Sequence, residues 1–180
     1  MAVRVLQFVS TFLLVLVVGP LWGTWFALSQ SIAELTPETF LEVGRVMIGN
    51  FAPVMPILMP AAVLSTLLAG VLLRRVRPAA ASLTLAGFLL FTAVALVTVL
   101  GNVPIDRQIA GWTPATLPAD WTEVRDRWEL LHTVRTFLSL AGLACVLAGD
   151  LLSAGVDHQA RAHGDRATVR RGGERSVEGG

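Results

Sequence analysis

A single cysteine, Cys145, leaves this 180-residue chain no internal disulfide to form. With no cysteine–histidine cluster either, zinc and iron–sulfur spacings are missing, and no metal is expected. Lysine is absent altogether, and all 14 basic residues are arginine, a bias that points to a GC-rich, bacterial coding sequence. Charge of both signs is scarce: 15% of residues are charged, against about a quarter in an ordinary soluble domain. The net charge of +1 gives no ground for a nucleic-acid partner. No phosphate-binding glycine loop or nucleophile elbow occurs, and nothing calls for a cofactor.

Apolar residues are what the chain has in abundance, at 54% of the total. They gather into four stretches, 5–28, 51–73, 79–101 and 131–152. Each is close to the roughly 20 residues a helix needs to cross about 30 Å of hydrocarbon. A segment in lipid must satisfy its own backbone hydrogen bonds, and no stretch alternates as a barrel strand does. The expected fold class is therefore all-α, an integral membrane four-helix bundle over residues 1–153, embedded in a lipid bilayer. Residues 154–180 are rich in glycine, arginine and small polar residues, have no apolar face, and read as a disordered tail.

Arginine placement orients the bundle. Arg4, the "RRVRP" link with Arg74, Arg75 and Arg77, and five arginines of the tail fall on one side. That side should be the cytoplasm, with both termini on it, in a bacterial plasma membrane. The segment 29–45 carries Glu34, Glu38 and Glu42 against one arginine, and with segment 102–130 it should face outward. All five tryptophans, Trp22, Trp25, Trp112, Trp121 and Trp128, fall at that outer end. They form either an interfacial anchor or the wall of an aromatic site.

Local signals place smaller elements. Thr36 and Pro37 suit the N-cap and first position of a short helix reaching about Asn50. The prolines of "FAPVMPILMP" crowd the start of the second span, and Pro20 sits near the far end of the first, where it should kink the helix. Asp120 with Glu123 resembles a capping box. A helix from there to about Leu152 would be on the order of 50 Å long, so its first turns must stand outside the hydrocarbon.

On that last helix Trp121, Arg125, Trp128, His132 and Arg135 share one stripe. Ionisable groups at such depth must face the bundle interior, a partner or water. Glu123, Asp126 and Arg127 lie on the opposite, solvated flank. Two readings of the stripe follow. In one, arginine–carboxylate pairs such as Arg135–Asp106 pin the outer ends of the bundle. In the other, an outward-opening pocket formed with Asn102, Asp106, Trp121 and Trp128 uses His132 as proton acceptor, with Arg135 or Arg125 stabilising an anion. Asp150, eighteen positions after His132, would lie about 27 Å further along a helix. It belongs to the opposite end of the membrane, near the "RRVR" turn.

At "GNVPIDRQIAGW" and "DWTEVRDRWELLHTVRTF" the chain resembles the anthrone oxygenase-like family of small four-helix membrane proteins. The matching signature is an Asn-x-Pro turn ending span three (Asn102, Pro104), then Arg125 and Arg127 before Trp128, then Val134, Arg135 and Thr136. The resemblance implies oxidation of a small aromatic substrate, a polyketide anthrone, to an anthraquinone by dioxygen without metal or flavin. Two positions depart from the pattern. Asp106 stands where many relatives carry Asn, and His132-Thr133 stands where some carry Asn-His, a displacement of about 100° around the helix. Asn102, Trp128 and Arg135 are the shared framework. The functional expectation is a cofactor-independent oxygenase; the alternative is a non-catalytic membrane accessory or partner-binding protein whose partner the sequence does not name.

Overall fold

In the computed structural model the backbone is described for residues 2–178 and side chains for residues 3–155. Six α-helices follow one another: α1 (Ala2–Thr24), α2 (Pro37–Phe51), α3 (Met55–Leu73), α4 (Pro78–Val97), α5 (Val103–Ala110) and α6 (Trp121–Glu178). Four helical stretches are long and apolar enough to cross a membrane, Val3–Ser29, Met55–Leu73, Pro78–Ala110 and Trp121–Gly155. The protein is thus an all-helical, four-span integral membrane bundle, as the apolar runs require. The expected disordered tail lies, from residue 156 on, outside the residues whose side chains are described.

The spans close a ring in the order α1, α3, α4, α6, with α6 returning to α1 along the loosest of the four seams. Leu14, Val17 and Leu21 of α1, Met59 and Ala62 of α3, Phe91 and Val94 of α4 and Val146 of α6 make the core. Phe8, Ile57, Leu64, Leu89, Leu100 and Leu151 point outward and stay exposed, which only a lipid environment tolerates in such density. Because lipid is as apolar as leucine, span association rests on close packing instead of water expulsion. The α4–α6 seam shows this. A Cβ added to Gly87 would stand 2.5 Å from a Val146 methyl, and one on Gly142 would stand 2.9 Å from the Phe91 ring. Core hydroxyls satisfy themselves on their own helix, as Thr66 does on the Ala62 carbonyl at 2.7 Å and Thr84 on the Ala80 carbonyl at 3.0 Å.

One end of the bundle is capped. Thr36 accepts the Thr39 N–H at 3.4 Å with Pro37 in the first turn, so α2 starts where the cap signal puts it. Its apolar face, Phe40 and Leu41, packs with Ile105 and Ile109 of α5 and with Trp112. Arg45 donates to the Trp112 carbonyl and ties α2 to the segment after α5. At the other end Asp150 accepts from Gln7 Nε2 at 2.6 Å and Thr11 Oγ1 at 2.8 Å. Asp150 therefore sits at the arginine-bearing end, where its sequence position puts it, but its hydrogen bonds come from α1. From the arginine turn, Arg77 donates to the Ser153 carbonyl, three residues further along α6. Cys145 is half-buried and free.

Two π-helical segments correct the reading of the span ends. The third span does not stop in an Asn-x-Pro turn. It widens into a π-helix at Thr98–Asn102 and runs on as α5. Pro104 explains the widening. It has no N–H for the Leu100 carbonyl, its ring collides with that carbonyl in an α-helix, and one extra residue in the turn relieves the collision. The Val103 N–H bonds back to the Thr98 carbonyl. At the far end of α1, after Pro20, the chain again turns π-helical, at Trp25–Ser29. Both segments lie at the capped end, on either side of α6.

Candidate functional site

The stripe on α6 sits where its periodicity predicts, with Arg125 and His132 buried and the other three members half-buried. Trp128 stacks on His132, ring centroids 5.0 Å apart and planes 9° apart. Arg135 donates from Nε at 3.2 Å and places Nη2 3.0 Å from the same atom, Nδ1 of His132. A guanidinium carries donors only, so Nδ1 must present its lone pair. The imidazole is therefore neutral, with its proton on Nε2. That atom is buried with no hydrogen-bond partner. It faces the Leu21 carbonyl of α1 outside hydrogen-bond geometry.

The proton-acceptor role expected of His132 changes with this geometry. Its one basic nitrogen is occupied by Arg135, and the nitrogen left over is a donor. A neutral N–H, aimed by a guanidinium and a stacked indole, suits holding a carbonyl or enolate oxygen.

Around this pair stand supporting residues from the π-helical segment Thr98–Asn102 and from α5. Arg135 Nη1 donates to Thr98 Oγ1 at 3.4 Å. Trp128 Nε1 donates to Asp106 Oδ1 at 2.8 Å, and Asp106 lies within electrostatic reach of Arg135. Asn102 Nδ2 donates to the Trp128 carbonyl at 3.3 Å, while its Oδ1 is buried without a partner. The π-helical widening makes these contacts, because Thr98 and Asn102 open and close it. Gly101 lets the segment approach α6, where an added Cβ would meet the Leu131 side chain at 2.9 Å.

So Asn102, Asp106, Trp128, His132 and Arg135 come together in one network. Trp121 and Arg125 do not join it. The Arg125 guanidinium lies 5.3 Å from the Trp121 ring centroid and bonds Asp126 at 2.7 Å and 2.8 Å. Trp121 in turn packs on Phe40 of α2, 5.4 Å between centroids. These two residues fasten the cap. The anion-stabilising role weighed for Arg125 has its donors turned to Asp126.

Sequence reasoning passed over the α1 side of α6. Trp25 Nε1 donates to Thr133 Oγ1 at 3.1 Å, and Thr133 donates to Glu129 Oε1 at 3.1 Å. Glu129 Oε2 is buried without a partner. Trp25 also packs against Phe137 edge-on at 5.0 Å and stacks on Trp22 at 5.2 Å. The i, i+4 spacing of Glu129 and Thr133 was a visible signal; the approach of Trp25 was not. Among the described residues no three His, Cys, Asp or Glu side chains group closely enough to hold a metal.

A family model described as anthrone oxygenase matches residues 51–145. No curated protein is similar enough to match, and neither is any solved structure. The matched segment covers α3, α4, α5 and α6 as far as Cys145, more than half of the chain, and includes every residue of the His132 network. The chain belongs to the anthrone oxygenase family.

Proposed function

We propose that the protein oxidises an anthrone-type aromatic ketone with dioxygen, drawing its substrate from the membrane. The supporting observation is His132, neutral and almost fully buried, with Nδ1 held by Arg135 and its Nε2–H unpartnered. A buried donor without an acceptor costs stability in the folded protein, on the order of 1–3 kcal/mol. A substrate oxygen would repay that cost. When the carbon acid opposite the ketone loses a proton, negative charge moves onto this oxygen. The Nε2–H then bonds the enolate more strongly than the ketone, which is differential stabilisation of the charged state. Dioxygen oxidises the enolate: a CH2 group and O2 become a C=O group and water, so atoms and electrons balance without a resident redox group. Arg135 keeps the tautomer correct, and Asp106, through Trp128, keeps the imidazole plane in place. The orientation that goes with this reading puts the site at the outer face and the arginine-rich end in the cytoplasm.

Purified protein in liposomes, given 1,8-dihydroxyanthrone, should form the quinone while consuming one O2 per molecule. A matched aromatic without an acidic C–H, such as anthracene, should not turn over. Binding without oxygen uptake across a panel of anthrones would instead support the accessory-protein reading.

A further inference from the structure

Two of the site's three unpartnered atoms belong to side chains that meet the first span; the third, Asn102 Oδ1, lies on the segment between α4 and α5. His132 Nε2 faces the Leu21 carbonyl of α1. Glu129, three residues earlier on α6, has a buried carboxylate oxygen with no partner. Its other oxygen accepts from Thr133, which accepts from Trp25 of the first span. Residues at i and i+3 are neighbours on one helix surface, so α6 presents a free donor and a free carboxylate oxygen about one turn apart. Further along the same seam, starting about 12 Å beyond His132 on α6, α1 and α6 part to form an open apolar groove of about 220 Å³, lined by Val15, Val18, Gly19, Trp22, Leu140 and Leu143. Trp22 lines the groove and stacks on Trp25, so one aromatic wall runs from the lipid-facing groove to Thr133, which bonds Glu129.

We infer that the α1–α6 seam is the working face of the site and that Glu129 is its proton acceptor, reached laterally through the groove by a flat, apolar aromatic ketone. This rests on the oxygenase reading above. In the step, the C–H bond opposite the ketone breaks and its proton passes to Glu129 Oε2. The electron pair moves through the ring onto the oxygen held by His132 Nε2–H. Dioxygen, the co-reactant, then accepts electrons from the enolate, and the groove is apolar enough to admit it. Thr133 holds the carboxylate in place through its other oxygen, and the two tryptophans give the substrate plane a surface on which to stack. The His132 donor gains an acceptor when substrate is bound, and the Glu129 oxygen is satisfied by the proton it then takes.

The test uses two variants of the full-length protein. Glu129→Gln keeps the shape and an oxygen for the Thr133 hydroxyl but cannot take a proton. Its kcat for 1,8-dihydroxyanthrone should fall by about 100-fold or more, with unchanged affinity for the product-like 1,8-dihydroxyanthraquinone, read by quenching of tryptophan fluorescence. Gly19→Leu fills the groove, and an added Cβ meets nothing within 4 Å, so the fold has room for it. It should weaken the quinone's binding about tenfold, the effect of a blocked contact worth about 1.4 kcal/mol. Wild-type kcat in Glu129→Gln would overturn the proton acceptor, and unchanged binding in Gly19→Leu would overturn the lateral route. Quinone binding that Gly19→Leu weakens, in a wild-type protein that consumes no oxygen, would remove Glu129's role with the oxygenase reading and leave the seam as a binding site.

Discussion

At the scale of single residues, the site depends on donors with no choice of partner. Arg135 can only donate, so it dictates which imidazole nitrogen of His132 carries the proton. Arg135→Lys keeps the charge but loses the planar fork, and lysine is no substitute at such a position. Its kcat for anthrone oxidation should drop about tenfold or more, with a smaller change in KM. A kcat equal to wild type would show that the tautomer is set by something else. Trp128→Phe separates two functions of one side chain. The ring still covers His132, while the 2.8 Å bond to Asp106 disappears. Unfolding in detergent should show a loss of about 1 kcal/mol, and Trp128→Ala, which also removes the stack, should lose clearly more. The stripe itself was legible, since five residues at helical spacing on a capped helix must share a face. Which of them act together was not. Arg125 and Trp121 look equivalent to Arg135 and Trp128 in sequence, yet Trp121 packs on α2 with Arg125 turned to Asp126, while the π-helical segment and α5 hold the second pair. Glu129 stayed unmarked because its partner Thr133 is held by Trp25, more than 100 positions away.

The elements divide into those whose ends the sequence announces and those whose ends depend on three-dimensional crowding. Thr36–Pro37 starts α2, and Pro78 starts α4, by chemistry confined to a few residues. The π-helical segments carry no such mark. Pro104 reads as a helix stop, but a widened turn accommodates it, and the helix continues to Ala110. That difference matters for the site, because the widened turn presents Thr98 and Asn102 to α6. Glycine substitutions should sort by seam. Gly87→Val would press into Val146 and the Gly142 carbonyl, at the tightest contact between α4 and α6. Overpacking of this kind costs about 1–3 kcal/mol, and the variant's thermal unfolding midpoint should fall accordingly. Gly49→Ala, on exposed α2 with nothing near an added Cβ, should instead be neutral or raise stability by up to about 1 kcal/mol.

For the whole molecule, the two ends have different work. The arginine-bearing end is pinned through Asp150 to Gln7 and Thr11, while the capped end holds the site beneath α2 and α5. Between them the α1–α6 seam is the loosest, so its stability should depend strongly on the pin. Asp150→Ala removes the acceptor of two hydrogen bonds, and amide exchange should speed up along α1 more than along α4. Equal protection of both helices would mean that the seam is held elsewhere. Reporter fusions should place the "RRVRP" turn in the cytoplasm, and a periplasmic signal there would reverse the orientation. The bundle was legible as a whole because four apolar runs of membrane length leave few alternatives. The α1–α6 seam, inferred above to be the working face, was not, since nothing local in the sequence marks which seam is loosest. The most direct measurement of the central claim is oxygen uptake by liposomes carrying the protein with 1,8-dihydroxyanthrone, comparing wild type with His132→Ala. The account predicts one O2 consumed per quinone formed by the wild type, and a rate at least about 100-fold lower in the variant; equal rates in the two would contradict it.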